Sequence, residues 1–278
     1  MLRLLSIEFE KLRYSKSAKV LSIIYFGLFT FIALIASIRF NLFGAEIHIA
    51  DQGIFNFPYI WHFNTYCAAL LKIFLAIVIV SLISNEYSNR TLKQNLIDGL
   101  SKKEFILSKF YTVLSFAFIS TVFIFIVSLV LGLIFSDYTE IGIIFSDLEY
   151  LLAYFVKLLG FFTFCMFLGV LVKRSAFALG FLFVWWIVES VVVGVLRFLV
   201  VNDATKTEYI TQFFPLESMA NLVKQPLSRL NVIQSAANQL QTDIAFDYAV
   251  HWYQILIVLG WTAIFVWGSL ALLKRRDL

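Results

Sequence analysis

The chain has 278 residues, of which 61% are hydrophobic and 14% are charged, and its mean hydropathy is +0.87. Soluble domains carry about 45–50% apolar and about 25% charged residues, so this composition excludes a soluble protein and indicates an integral membrane protein. The long apolar runs lack the alternating pattern of a transmembrane barrel, and the spanning elements are therefore predicted to be helices. Because Cys67 and Cys165 lie inside apolar runs, we expect buried thiols rather than a disulfide.

Six segments are apolar and long enough to cross a bilayer, whose core of about 30 Å requires about 20 helical residues. The first is expected to be retained rather than cleaved, because residues 1–19 precede it and no clean cleavage site follows. The sequence predicts an all-α integral membrane protein with an amphipathic interface helix in residues 1–19 and a six-span transmembrane domain in residues 20–278. The predicted spans are approximately residues 20–39, 64–84, 110–135, 152–172, 177–201 and 252–273.

Lysine and arginine are concentrated in the N-terminal segment, in the second and fourth connections and in the C-terminal tail. Basic residues near membrane ends are retained on the cytoplasmic side, so both termini are predicted to be cytoplasmic. The formal net charge of +4 follows from this asymmetry and needs no nucleic-acid partner, since anionic membrane lipids attract such residues. The residues on the predicted inner side are Arg3, Lys11, Arg13, Lys16, Lys19, Arg90, Lys93, Lys102, Lys103, Lys109, Lys173, Arg174, Lys274, Arg275 and Arg276.

The N-terminal segment has apolar residues at helical spacing, namely Leu2, Leu5, Phe9 and Leu12. This pattern predicts an amphipathic helix that lies in the membrane interface. The helix is either a simple anchor for the first span or also a platform for a cytoplasmic partner.

The fifth connection, residues 202–251, is the only long segment on the predicted external side. Pro215 and Pro226 bracket a short helix predicted over Leu216–Gln225. A second helix is predicted over Ser228–Gln241, from the spacing of Leu230, Ile233, Ala237 and Leu240. These short helices form either a re-entrant or surface-lying cap at the external mouth, or an ordinary loop that packs on itself.

The second connection, residues 85–109, is predicted to form two short helices with a joint between them. Gly99 suits the left-handed residue that ends a helix, and Ser101 with Glu104 forms a capping box that starts the next one. Leu92 and Leu96 lie one turn apart and give the first helix a small apolar face, which either docks into a groove on another protein or belongs to a loop that re-enters the bilayer. Polar residues surround this face: Arg90, Lys93, Gln94 and Asn95.

These residues resemble the permease subunits of ABC-2 type ATP-binding-cassette transporters. The resemblance covers the whole layout: an N-terminal interface helix, six spans, a cytoplasmic helix between spans two and three, and an external helical element between spans five and six. The local match is a glutamate that ends span two, a threonine-leucine pair, a turn, a serine with a basic residue, and a lysine that enters span three. Those residues are Glu86, Thr91, Leu92, Ser101, Lys102 and Lys109, whereas Arg90 and Gly99 stand where the family often has glycine and proline.

The resemblance implies that the short cytoplasmic helix fits a cleft on a separate nucleotide-binding subunit and transmits its ATP-driven closure to the spans. No G-x-x-x-x-G-K-[ST] phosphate loop occurs, so ATP and Mg would be bound by that partner and this chain would be neither an enzyme by itself nor a holder of a cofactor. A second permease copy or a paralogue would complete an exporter in the bacterial cytoplasmic (inner) membrane. The implied ATPase-coupling interface consists of Glu86, Arg90, Thr91, Leu92, Leu96, Gly99, Ser101, Lys102, Glu104 and Lys109.

Four charged residues fall within the predicted spans. Lys157 and Arg197 lie near span ends, where long side chains are expected to reach the interface. Lys72 and Glu189 are deeper, and a buried charge requires a partner or a wet cavity. We therefore expect these two residues to face the bundle interior or the subunit interface, where they either pair with each other or line the translocation route.

Two other functional classes are alternatives to an ABC-2 permease. A self-sufficient secondary transporter or channel would be expected to show internal repeats and broken spans, and an intramembrane lipid-modifying enzyme would require polar residues that converge at one depth. His48, His62 and His251 show no metal-binding spacing, so no metal site is predicted. The apolar span interiors favour an amphiphilic or hydrophobic cargo over a highly charged one.

Overall fold

The computed structural model describes residues 2–36, 39–42, 45–48, 53–138, 140–201, 204–229 and 247–276. These residues are almost entirely helical, as the composition predicts, with one exception. In the first connection, strands β1 (Arg39–Leu42) and β2 (Ala45–His48) pair in antiparallel register. This hairpin was not predicted from the sequence, because strands of four residues are too short to show an alternating pattern.

Five single helices are long and apolar enough to cross a membrane, and a bent pair of helices, α3 and α4, supplies a sixth candidate span. The spans are α2, the α3–α4 pair, α6, α8, α9 and α12. In chain order the helices are α1 (Leu2–Tyr14), α2 (Lys16–Ala36), α3 (Tyr59–Leu71), α4 (Ile73–Ser88), α5 (Thr91–Ile97), α6 (Lys102–Phe135), α7 (Ile141–Ile144), α8 (Glu149–Val172), α9 (Ser175–Val195), α10 (Ala204–Thr211), α11 (Pro215–Asn221) and α12 (Trp252–Lys274). Leu196–Val200 forms a π-helical turn after α9, and Leu227–Arg229 forms a 3-10 turn.

The second span is broken, whereas the sequence predicts one continuous helix over residues 64–84. Helices α3 and α4 meet at an angle of 43°. The break falls at Lys72, and neither glycine nor proline marks it. Because these helix-breaking residues are missing there, the break could not be predicted from the sequence.

The predicted second short helix of the 85–109 segment is not a separate element. It is the first part of α6, which runs without interruption from Lys102 to Phe135. The capping box is present: Ser101 Oγ accepts from the Glu104 backbone N–H at 3.1 Å, and the Ser101 N–H donates to Glu104 Oε2 at 2.9 Å. Helix α6 therefore begins well before the predicted span, because the cap specifies where a helix starts but not how far it continues.

Helix α8 is the central helix of the bundle and packs against α4, α6, α9 and α12. Two of its glycines permit close contacts: a Cβ at Gly160 would lie 2.6 Å from Val258 Cγ1, and one at Gly169 would lie 3.2 Å from Ile83 Cβ. Small residues of this kind allow helices in membranes to approach each other and gain van der Waals contact.

Three buried hydroxyl groups connect α2, α6 and α8. The Tyr25 hydroxyl lies 2.5 Å from Ser120 Oγ and 2.5 Å from the Tyr154 hydroxyl, and the last two are 2.9 Å apart. An unpaired hydroxyl in an apolar environment costs several kcal/mol, so this closed triangle satisfies groups that a bilayer core cannot.

The long fifth connection contains the predicted short helix, but with different bounds. Helix α11 begins at Pro215, whose fixed backbone angle suits the first helical position, and ends at Asn221. Helix α10 precedes it and was not predicted. The helix predicted over Ser228–Gln241, with Leu230, Ile233, Ala237 and Leu240, lies largely outside the described residues.

Candidate functional site

Four charged side chains meet where α1, α4 and α6 come together. Lys109 of α6 donates to Glu8 Oε2 at 2.7 Å and to Glu86 Oε1 at 2.8 Å. Lys11 of α1 donates to the same Glu86 oxygen at 2.6 Å. We call Glu8, Lys11, Glu86 and Lys109 the ion cluster; it contains two carboxylates and two ammonium groups, so its formal charges balance.

The ion cluster is sheltered from solvent. Glu8, Glu86 and Lys109 are buried, and Lys11 is partly exposed. Burial lowers the pKa of Lys11, but its hydrogen bond to Glu86 and the charges of Glu8 and Glu86 outweigh this effect and raise the pKa overall. Loss of one member would leave an uncompensated buried charge, which typically costs 3–5 kcal/mol, about a third or more of the stability of many domains.

A hydrogen bond connects the ion cluster to α5. Thr91 Oγ1, at the start of α5, donates to Glu86 Oε2 at 2.6 Å. Arg90 forms the turn between α4 and α5 with a φ of 57°, in the left-handed region that glycine adopts most readily. After α5, Gly99 has a φ of 96°, as predicted for a residue that ends a helix. Thus α5 lies between two left-handed turns and is tied to the end of α4.

The apolar face of α5 points inward to the protein's own core, an arrangement that differs from both alternatives left open by the sequence, docking on another protein and a loop that re-enters the bilayer. Leu92 is only 2% exposed, and Leu96 packs partly buried against the core. The exposed apolar side chain of α5 is Ile97, which is 77% exposed. The sequence could not distinguish these cases, because an apolar stripe has the same spacing whether it meets the chain's own core or another protein. The opposite face, which we call the α5 outer face, carries Arg90, Lys93, Gln94 and Ile97.

The start of α6 is attached to the C-terminal end of the chain. Lys102 Nζ donates to the Arg276 carbonyl oxygen at 2.9 Å. The Arg276 guanidinium donates to the carbonyl oxygens of Val170 at 2.5 Å and Leu171 at 2.8 Å, at the end of α8. Basic groups at helix C-termini satisfy carbonyls that lack a partner within the helix. The predicted residue Lys102 therefore contacts the C-terminal segment and not the ion cluster.

Lys72 and Glu189 form no ion pair with each other. The Lys72 ammonium lies over the Phe161 ring, 4.3 Å from its centroid. Glu189 Oε2 instead accepts from the backbone N–H groups of Leu216 at 3.0 Å and Glu217 at 3.1 Å. Trp185 Nε1 donates to Glu189 Oε1 at 2.7 Å. Glu189 therefore caps the start of α11.

The Lys157 side chain is buried within the protein, whereas the sequence-based expectation was a side chain that extends along the surface to the interface. It is 5% exposed, and its ammonium donates to the carbonyl oxygens of Ala220 at 3.3 Å and Val223 at 3.2 Å. These carbonyls lie at the end of α11, which therefore provides a partner that the position of Lys157 in the sequence does not reveal. Arg197 is exposed, as expected for a long side chain near a span end.

Two cavities border Lys72. One, of about 570 Å³, lies between the broken span and the α10–α11 region; the other, of about 480 Å³, lies between α4, α8, α9 and α11. Lys72 and Glu217 line both cavities, and Glu189 lines the second. The two deep charges predicted from the sequence therefore border the same cavity without touching each other.

His62 and His251 have partners within the protein. His62 stacks on Tyr150 with ring centroids 4.2 Å apart, and His251 Nε2 lies 2.8 Å from Asp247 Oδ2. That hydrogen bond lowers the pKa of Asp247. Within the described part of the chain, no group of three or more His, Cys, Asp and Glu side chains could hold a metal ion.

A family model described as "ABC-2 family transporter protein" matches residues 4–189. The chain belongs to this family. The matched range contains the whole ion cluster, α5 and the complete sequence from Glu86 to Lys109, and it ends at Glu189, before α10 and α11. A comparison with curated proteins finds no match. The chain is thus a multi-pass ABC-2 type permease by family and by its apolar helices.

Of the residues predicted for the coupling interface of this ABC-2 permease, the structure joins Glu86, Thr91 and Lys109 directly. It places Ser101 and Glu104 in the cap of α6, and Lys102 against the C-terminal segment. Sequence reasoning missed Glu8 and Lys11, the half of the ion cluster that α1 supplies. Their spacing of three residues on one helix was the available signal, but such pairs are common on exposed helix faces.

Proposed function

We propose that this ABC-2 permease is the membrane-spanning subunit of an exporter that a separate nucleotide-binding subunit drives by ATP hydrolysis. The family supports the transport role, and the lack of a phosphate-loop sequence supports a separate ATPase that binds ATP and Mg. The observation that carries the proposal is the attachment of α5 to the spans through Thr91 and Glu86.

The attachment explains how force on α5 would reach the membrane. A partner that pushes on the α5 outer face moves Thr91, and Thr91 holds a carboxylate that also binds α1 and α6 through Lys11 and Lys109. Buried Leu92 adds apolar contact between α5 and the bundle. Coupling between distant sites requires such a contiguous set of packed and hydrogen-bonded groups. The ion cluster would therefore move as one unit with the ends of the second and third spans.

The proposed topology places the ion cluster, α5 and both termini on the cytoplasmic side of a bacterial inner membrane. The lysines and arginines concentrated there support this orientation. A second permease, identical or a relative, would complete the assembly with two ATPase subunits. The chain itself would hold no cofactor and carry out no hydrolysis.

Co-purification of the permease with its ATPase tests the docking face. Ile97→Asp places a charge on the exposed apolar residue of α5 and is expected to abolish capture of the ATPase. Ile141→Asp is the matched control, because Ile141 of α7 is 76% exposed and lies at the opposite end of α6. Capture that survives Ile97→Asp, or that Ile141→Asp equally abolishes, would contradict the proposed interface.

A self-sufficient secondary transporter is the second candidate function. The observation that favours it is the broken span at Lys72, since interrupted spans near the bilayer midplane form binding sites in such transporters. Reconstitution into liposomes separates the two candidates. Transport by the permease alone would support the secondary transporter, whereas transport that requires the ATPase and ATP would support the exporter.

A further inference from the structure

The break in the second span places an ammonium group where two cavities meet. Lys72 lies between α3 and α4 and lines both the cavity of about 570 Å³ and the cavity of about 480 Å³. Both volumes fall within the range of about 300–1,000 Å³ that is usual for ligand pockets. Among the described residues, Lys72 forms no ion pair, and its ammonium lies over the Phe161 ring. A half-buried cation without a counter-charge is costly in a membrane, so an anion beside Lys72 would stabilise its charged form.

The larger cavity, which we call the charged cavity, has an excess of basic groups. Its charged lining residues are Lys72, Lys157, Arg197, Lys224, Glu208 and Glu217. Lys224 pairs with Glu208 at 2.7 Å, and Lys157 binds the carbonyl oxygens at the end of α11. Among the described residues that line this cavity, Glu217 is thus the carboxylate left to oppose Lys72 and Arg197. Burial and the nearby carboxylates of Glu189 and Glu208 raise the pKa of Glu217, although Lys157 acts against them, so its negative charge is disfavoured.

The smaller cavity, which we call the apolar cavity, is lined mainly by aliphatic and aromatic side chains. Phe161 lies on one side of it, and Phe183 and Trp186 of α9 lie on the other. Leu70 and Trp186 are exposed, so the rim opens towards the surface that lipid would cover. The carboxylate of Glu189 also lines this cavity, but backbone N–H groups of α11 already satisfy it. The apolar cavity therefore offers space for a hydrocarbon chain.

We infer that the two cavities together bind an amphiphile with an anionic head group, which lies beside Lys72, and an apolar chain, which lies along Phe161 and Trp186. The charged cavity and the apolar cavity match the two parts of such a molecule, and the exposed rim of the apolar cavity gives it access from the membrane. As a substrate class this inference rests on the proposed function, whereas the binding itself requires neither ATP nor the ATPase.

Binding of a fluorescent fatty acid to the purified full-length permease in a neutral maltoside detergent tests the inference. Dansyl-undecanoic acid is expected to bind about tenfold more tightly than its uncharged methyl ester, a difference of about 1.4 kcal/mol, because only the acid offers a charged acceptor to the Lys72 ammonium. Lys72→Met should abolish this preference by weakening binding of the acid, and Lys72→Arg should retain it. Lys19→Met is the matched control, since Lys19 of α2 is an exposed cation that lines neither cavity.

Competition identifies the source of the anionic amphiphile. Displacement of the probe by phosphatidylglycerol would indicate a bilayer phospholipid, and displacement only by dodecyl phosphate would indicate a single-chain molecule; phosphatidylcholine should displace it in neither case. Equal affinity for the acid and the ester, or a preference that survives Lys72→Met in a variant with an unchanged unfolding temperature, would overturn the inference. Because these measurements omit the ATPase, they remain decisive even if the proposed coupling face is wrong.

Discussion

Glu189 and Lys157 hold opposite ends of α11. The Glu189 carboxylate accepts two backbone N–H groups at the start of this helix, and the Lys157 ammonium donates to two carbonyl oxygens at its end. The signs of both charges match the helix dipole, whose start is positive and whose end is negative. A seven-residue helix is too short to be stable alone, so these two charges from α9 and α8 explain how α11 persists against the bundle.

Truncation of Glu189 is expected to destabilise the permease. Glu189→Ala removes the acceptor for the two N–H groups and should lower the free energy of unfolding by about 2–3 kcal/mol, whereas Glu189→Gln keeps one acceptor oxygen and should cost about 1 kcal/mol. Denaturant titration of the purified protein in detergent measures both values. The matched control is Ser190→Ala, whose exposed hydroxyl bonds only within α9 and whose loss should change stability by less than about 0.5 kcal/mol. Equal losses for Glu189→Ala and Ser190→Ala would contradict the capping role.

The ion cluster predicts a large loss of stability when Lys109 is replaced and a small one when Lys103, on the same helix, is replaced. Lys109→Met removes the buried cation between Glu8 and Glu86 and leaves them only the partly exposed Lys11, so it should lower the free energy of unfolding by about 3–5 kcal/mol. Lys103→Met, on the exposed side of α6, should change it by less than about 0.5 kcal/mol. The double variant Glu8→Gln with Lys109→Met should lose less than the sum of the single losses, because the two residues share one interaction. Strictly additive losses would show that the pair is not coupled.

The raised pKa of Glu217 predicts that Glu217→Gln stabilises the protein at neutral pH but not at acidic pH. Burial and the carboxylates of Glu189 and Glu208 raise its pKa in the folded state, with Lys157 acting against them, so the folded protein retains a proton that the unfolded chain has released. Its contribution to stability is therefore complete below the ordinary glutamate pKa and declines as pH rises through the folded-state value. Glu217→Gln mimics the protonated form and should raise the unfolding temperature at pH 7 but not at pH 4. A gain of the same size at both pH values would refute this account.

The two left-handed turns around α5 predict that adding a side chain at Gly99 lowers the stability, whereas removing the one at Arg90 does not. Gly99→Ala places a Cβ at a φ of 96° and should cost about 1–2 kcal/mol, although no atom would clash with that Cβ. Arg90→Gly relieves the same kind of strain at a φ of 57° and should be neutral or stabilising. Gly27→Ala is the control, because Gly27 has neither a positive φ nor a neighbour within 4 Å. Unfolding temperatures measured in one detergent rank the three variants, and a ranking in which Gly99→Ala matches Gly27→Ala would argue against turn strain.

Sequence reasoning succeeded where neighbouring residues decide the structure. The capping box of Ser101 and Glu104 and the left-handed Gly99 were predicted from spacings of a few residues, and both are present. It failed at Lys72 and Lys157, whose surroundings come from other helices. No local pattern marks the break at Lys72, and no local pattern places the end of α11 beside Lys157.

The sequence by itself determined that the chain is a helical membrane protein of the ABC-2 type, because hydropathy, span length and the segment from Glu86 to Lys109 are properties of continuous stretches. Only the tertiary structure decided which charges meet. Glu8 and Lys109 are 101 residues apart, and Lys11 and Glu86 are 75 apart. Such contacts depend on how each helix is rotated and packed against its neighbours. The inward face of α5 and the two cavities around Lys72 were decided in the same way, since a charged or apolar residue can face its own core, a partner or lipid with the same sequence spacing.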